Sequence, residues 1–173
     1  MPAAPKTSAE DIVAAALKLL ETRGLDAVNM QAVAVAAGIK GPSLYKRYAT
    51  RDLLLDDVAR EGLLDLEARM GPARTVAAKA RAYRQFALER PQLYGLLYAA
   101  REEGGDLVAR RGEVAKPIIE ALGSLAAARL LTAWLHGFVS MELAGAFRLG
   151  GDTEKDFEWG LSRLLESSGD ARG

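Results

Sequence analysis

Cysteine is absent from the 173 residues, so neither a disulfide nor a thiolate metal ligand is available. Histidine occurs once, at His136, which rules out a histidine-rich zinc site. Aromatic residues make up only 6% of the chain, so the few positions they occupy stand out. Alternating strand-forming runs are missing, and no segment approaches the ~18 apolar residues needed to cross a bilayer. The N-terminus has no apolar core behind a basic start, as a secretory leader would. These absences predict a soluble, cytoplasmic protein with no metal site and no cofactor. Paired catalytic carboxylates in a shared motif and a phosphate-cradling glycine loop are also lacking, which argues against an enzyme. A small helical enzyme acting on an apolar substrate stays open as an alternative. So does a helical partner-binding module whose basic helix meets an acidic protein.

What the chain has in quantity is alanine and leucine, with glycine and proline marking the breaks between helical patterns. That composition predicts an all-α fold. The charges cancel at 23 of each sign, but unevenly. Residues 1–51 carry seven Lys and Arg against four acids, and the remainder sixteen against nineteen. A basic end on an acidic body suits docking to a polyanion.

The basic residues concentrate in one stretch, Gly38 to Arg51, which holds Lys40, Lys46, Arg47 and Arg51 with no acid among them. Upstream, Asn29 is a good N-cap for a short helix whose Met30, Val33, Ala34 and Ala37 recur at helical spacing. Gly38 stands where the chain must turn, which suits a residue free to take positive φ. Pro42 suits the first turn of the next helix. There, Leu44 and Tyr48 point inward, four residues apart, while Ser43, Tyr45, Lys46 and Arg47 point outward. Helix, glycine turn and a second helix bearing hydroxyls and cations is the sequence form of a helix-turn-helix. The plainer alternative is a solvated basic helix on an ordinary bundle.

Five pieces in register extend this reading: Gly24-Leu25-Asp26-Ala27-Val28, Asn29 to Ala37, Ala37-Gly38-Ile39, Ser43-Leu44-Tyr45-Lys46-Arg47-Tyr48 and Arg51-Asp52-Leu53-Leu54. Together they resemble the DNA-binding domain of the tetracycline-repressor (TetR) family over about residues 8 to 60. There are departures: Asn29 replaces the usual Thr cap, Lys40 stands where Ser or Thr often caps the recognition helix, and Tyr48 replaces the commoner Phe. The resemblance implies nine helices in a TetR-like architecture. A three-helix DNA-binding domain over 8–52 would precede a helical ligand-binding and dimerisation domain over 53–167. It implies a ligand-responsive transcriptional regulator, a repressor, binding a near-palindromic operator as a homodimer. Ser43, Tyr45, Arg47 and Arg51 match family positions that hold phosphates, and Gln31, Gly41 and Pro42 match positions that face bases. Gly41 and Pro42 offer little direct readout, so Gln31 or Lys40 would carry more of it, with Lys46 adding charge.

In chain order, Ser8 begins the first helix, with Asp11 completing a capping box and Gly24 ending it. Thr50 caps a fourth helix running to Met70. Its apolar stripe is Leu54, Val58 and Leu64-to-Leu66, and its acids Asp56, Asp57, Glu61, Asp65 and Glu67 face solvent. The fifth helix spans 75–89, with Ala80, Tyr83, Phe86 and Ala87 on one side and Lys79, Arg81 and Arg84 elsewhere. The sixth starts at Pro91, and residues 102–106 form a loop. The seventh covers 107–122, kinked or restarted at Pro117, and the eighth covers 125–147, ended by Gly150-Gly151. A ninth helix then runs to Leu165 before a polar tail. The eighth helix is apolar nearly all round, so a chain this small needs a second subunit to bury it. Ala133, Gly137 and Ala144 are its candidate close-contact positions, and the resemblance places the last two helices in a dimeric four-helix bundle. Trp134-Leu135-His136-Gly137, Ala82-Tyr83-Arg84 and Pro91-Gln92-Leu93-Tyr94 also resemble the C-terminal half of one TetR branch. Tyr83, Tyr94, Tyr98, Trp134, His136, Met141 and Glu142 are candidates for lining a pocket for a small apolar or aromatic effector, with plain core as the alternative.

Overall fold

The computed structural model describes residues 7–99 and 104–170. Among them are nine α-helices, one 3-10 turn and no strand: α1 (Ala9–Arg23), the turn (Leu25–Ala27), α2 (Met30–Ala36), α3 (Gly41–Tyr45), α4 (Arg51–Met70), α5 (Val76–Glu89), α6 (Pro91–Tyr98), α7 (Gly105–Leu122), α8 (Leu125–Leu143) and α9 (Thr153–Asp170). The all-α expectation and the helix count hold. Packing groups the described residues into two compact units, one from 7–64 with 90–99 and 104–111 and the other from 65–89 with 112–170.

The first unit is built on α1, α2, α4 and α6. The Ser8 hydroxyl accepts the Asp11 N–H at 3.1 Å, and the Asp11 carboxylate accepts the Ser8 N–H at 2.8 Å, closing the capping box. The inner residues Ile12, Ala16 and Leu20 of α1 are fully enclosed, together with Val33, Leu44, Leu54, Val58 and Leu93. The stripe on α4 differs from the expectation at one place: Leu64 is exposed, and Leu63 and Leu66 are the buried residues. Its acids are also not uniformly in solvent. Asp56 is buried and accepts the Gly104 N–H at 2.9 Å, and Asp57 accepts a bond from the Tyr48 hydroxyl. A Cβ on Gly62 would stand 3.0 Å from Leu93, so the missing side chain is what admits α6 so close to α4.

The second unit packs α5, α8 and α9 against one another. Ala80, Tyr83, Phe86 and Ala87 are buried as the periodicity requires. Three of the element boundaries depart clearly from the sequence reading. Helix α7 begins at Gly105 and continues through Pro117; residues 102 and 103 of the expected loop lie outside the described residues. Helix α8 ends at Leu143, not Phe147. The reason is Gly145, at φ +61°, which lets its N–H reach the Glu142 carbonyl at 3.0 Å and lets the Ala146 N–H reach that of Met141 at 2.9 Å. This pair of bonds closes a Schellman turn and stops the helix. Phe147 then packs its ring 4.9 Å from Phe138 from beyond the helix end. Helix α9 extends five residues past Leu165.

Candidate nucleic-acid interface

The loop between α2 and α3 is built from the same device. The Asn29 side chain accepts the Ala32 N–H at 2.9 Å and starts α2. Gly38, at φ +66°, ends it: its N–H bonds to Val35 at 3.1 Å and the Ile39 N–H to Ala34 at 2.9 Å. A Cβ on Gly38 would meet nothing within 4 Å, so glycine is needed there for its conformation and not for space. Helix α3 begins after Lys40, whose side chain provides no cap, with Pro42 in the first turn.

One side of α3 is anchored. Leu44 is fully enclosed, and Tyr48 is 6% exposed with its hydroxyl donating to Asp57 Oδ2 at 2.7 Å. Burial, then the Asp57 carboxylate, pushes the Tyr48 phenol well above its ordinary value. Arg60 donates to the other Asp57 oxygen at 2.6 Å. The other side is open: Ser43, Tyr45, Lys46 and Arg47 are exposed, as are Gln31, Lys40 and Pro42, while Gly41 is half-buried. Tyr45 stands 56% exposed, an aromatic ring with a hydroxyl held in solvent. Among the described residues, Lys40, Lys46 and Arg47 form no ion pair. Unpaired cations and hydroxyls on the outer side of a short anchored helix are what a phosphate backbone requires. Arg51 is placed otherwise. It is half-buried, and its guanidinium donates to the carbonyls of Val28 at 2.6 Å and Leu25 at 2.7 Å.

The remaining candidates separate between the two units. Tyr94 and Tyr98 belong to the first, with ring centroids 5.0 Å apart; Tyr94 is buried and Tyr98 is 40% exposed. Tyr83, Trp134, His136, Met141 and Glu142 belong to the second. Tyr83 is buried, and the Trp134 indole stacks on Phe157 at 5.3 Å and tilts against Phe138 at 5.5 Å. Burial lowers the His136 pKa and favours the neutral ring. Met141 is exposed. Ala133, Gly137 and Ala144 are exposed on the isolated chain, with Leu130 and Met141 exposed on the same helix. Ala144 caps α8 and does not lie within it.

Glu142 is held in an ion pair. Both its oxygens accept from Arg84, at 2.8 and 2.7 Å. Arg84 is buried, sits 4.7 Å over the Phe157 ring and also donates to Glu154 on α9. Its neighbours Glu142 and then Glu154 raise its pKa. The sequence held a signal for this that the reading did not use: Ala80, Arg84 and Ala87 follow the helical period of the buried side. The same period puts Asp56 in line with Ala59, Leu63 and Leu66, all buried.

Two short helices joined at a positive-φ glycine, with unpaired cations flanking the second, define a DNA-binding protein of the helix-turn-helix class. Residues 12–58 match the model of the bacterial regulatory proteins of the tetR family, and residues 76–164 match that of the tetracyclin repressor-like C-terminal domain. The chain belongs to the TetR family of transcriptional regulators. It is 34% identical over 164 residues to Rv0681, an uncharacterized HTH-type transcriptional regulator of Mycobacterium tuberculosis, covering 81% of this chain and 72% of that one. Among solved structures, the regulatory protein SCO4313 superposes with a TM-score of 0.79 at 26% identity, covering 91% of this chain and 95% of that one. The fold is shared with ActR of Streptomyces coelicolor in complex with (S)-DNPA, at TM-score 0.72, 22% identity and coverage of 98% and 100%. A TetR variant of Acinetobacter baumannii in complex with minocycline also has it, at TM-score 0.72, 21% identity and coverage of 97% and 99%. The family consists of regulators, so the enzyme alternative falls. No single helix among the described residues is long and apolar enough to cross a membrane.

Proposed function

We propose that this regulator is a homodimeric, ligand-responsive repressor acting in the cytoplasm on a near-palindromic operator. By role the chain divides into a DNA-reading segment over 8–52 and a ligand-binding and dimerisation segment over 53–167. The observation that carries the DNA reading is the open side of α3. Ser43, Tyr45, Lys46 and Arg47 meet phosphates, while Gln31, Lys40, Gly41 and Pro42 lie nearest the bases. The pairing of two subunits is supported by α8, whose Leu130, Ala133, Gly137 and Met141 leave an apolar stripe uncovered on one chain. Effector binding is supported by the minocycline and (S)-DNPA complexes of the two structural neighbours. Within the second unit, an apolar or aromatic effector suits Tyr83, Trp134, Met141 and a neutral His136, while Glu142 is already held by Arg84; within the first, the Tyr94–Tyr98 pair offers an aromatic surface of its own.

Selection of the protein on a pool of random duplexes tests this directly. The expected product is a pair of inverted half-sites about 10 base pairs apart, centre to centre, bound by a species that sediments as a dimer. Gly137→Leu should yield monomers that retain helix content and lose that site. Recovery of a single, unrepeated half-site bound by a monomer would overturn the dimeric reading.

A further inference from the structure

Arg51 opens α4, where the helix dipole disfavours a cation, so its presence needs a reason from elsewhere in the fold. Val28 supplies one. It has no solvent exposure, so its carbonyl is cut off from water, and a buried carbonyl left without a donor is costly. Arg51 Nε meets that carbonyl at 2.6 Å, across 23 positions of sequence. Arg51 Nη2 meets the Leu25 carbonyl at 2.7 Å, across 26 positions, where the Val28 N–H already bonds at 3.1 Å. One planar fork thus spans two carbonyls in the link between α1 and α2. A lysine, with a point charge on a flexible stem, cannot meet both. Both bonds are short, as bonds from a charged donor are.

We infer that Arg51 is a positioning residue for DNA recognition. It pins the link between α1 and α2 to the start of α4, fixing how α2 and α3 are presented, and does not hold a phosphate. Tyr48 makes the second tie, joining the end of α3 to α4 through Asp57. The two ties fall on either side of the α2–α3 pair and leave Lys46 and Arg47, in the turn that closes α3, to carry the phosphate contacts. The inference rests on the DNA-binding reading for its consequence but not for its geometry.

The test has one arm without DNA and one with it. In the free protein, Arg51→Met and Arg51→Lys should raise amide hydrogen exchange between Leu25 and Gly38 by about tenfold or more and leave α8 unchanged. Arg51→Gln, which keeps a donor and loses the charge, is then titrated with a short mixed-sequence duplex across a range of salt. Its slope of log affinity against log salt should equal the parent's, while Arg47→Ala loses about 0.9 from that slope. Unchanged exchange in the free variants overturns the positioning role. A drop of about 0.9 in the Arg51→Gln slope restores a phosphate contact and equally overturns the inference. Failure of the parent to bind any duplex would count against the DNA reading alone, since exchange in the free protein still decides what Arg51 holds.

Discussion

The recognition segment after Gly38 and the packed helices of the second unit use arginine in opposite ways. In the first, the turn that closes α3 presents Lys46 and Arg47 with no carboxylate partner, and the charge is left for something outside the chain. In the second, three arginines are spent internally: Arg84 on Glu142 and Glu154, Arg81 on Glu158 through two bonds of 2.6 Å, and Arg69 on Asp65 at 2.8 Å and on Glu89. Composition does not separate them, since both units are alanine- and leucine-rich helices with ample charge. The difference is whether an acid lies within reach after folding. A guanidinium already forked onto a carboxylate has little left to offer a phosphate, whereas an unpaired one sheds only water and counterions.

The largest expected effect comes from cutting the internal network. Arg84→Met should cost about 3 kcal/mol by chemical denaturation, because it leaves the half-buried Glu142 carboxylate without its cation. Joint replacement with Glu142→Leu should recover most of that loss, since an apolar pair of similar volume needs no desolvation. If Arg84→Met costs under about 1 kcal/mol, the contrast between a spent and an available arginine collapses.

Next in size is a contrast between two glycines. A Cβ on Gly160 would lie 2.5 Å from Trp134 Cζ2, so Gly160→Ala should cost about 1–3 kcal/mol through overpacking. Its cost should couple to a smaller residue at Trp134 in a double-mutant cycle. Gly38→Ala meets no neighbour and should cost about 1–2 kcal/mol from its φ of +66° alone. It should show no coupling to any side chain.

Tyr48→Phe is smaller, about 1 kcal/mol for the lost bond to Asp57. Its pH dependence has a definite sign. The folded protein holds the Tyr48 phenol protonated above its ordinary value of 10.0, so this contribution is intact below pH 10 and declines as pH rises beyond it. The parent should therefore lose more stability than Tyr48→Phe between pH 10 and higher values, measured by denaturant midpoint at each pH. Parallel curves would mean that the hydroxyl is not held. The smallest effect on stability is expected from Arg47→Ala, near zero, with a weakening of DNA binding that is alike for all sequences. A changed sequence preference would place Arg47 on a base.

Much of the reading head was legible because its signals are local. The Ser8–Asp11 box, the Asn29 cap, the positive φ of Gly38 and the Leu44–Tyr48 spacing each involve residues within a turn or two of one another. The early stop of α8 was local too, but Ala146 and Phe147 extend the apolar pattern past Gly145 and draw the eye to Gly150-Gly151.

By itself the sequence determined the all-α class, the order and number of the helices, the helix-turn-helix and the residues it turns outward, because backbone propensity and helical period act over a few residues. Only the tertiary structure decided which charges are available. Whether Arg51 meets a phosphate or Val28, 23 residues away, whether Asp56 lies in water or beneath Gly104, 48 away, and whether Glu142 awaits a ligand or Arg84, 58 away, depends on which helices come together. A titratable side chain looks the same in sequence wherever it ends up. Its partner is chosen by packing, which sets both the distance to an opposite charge and the amount of water left to compete for it.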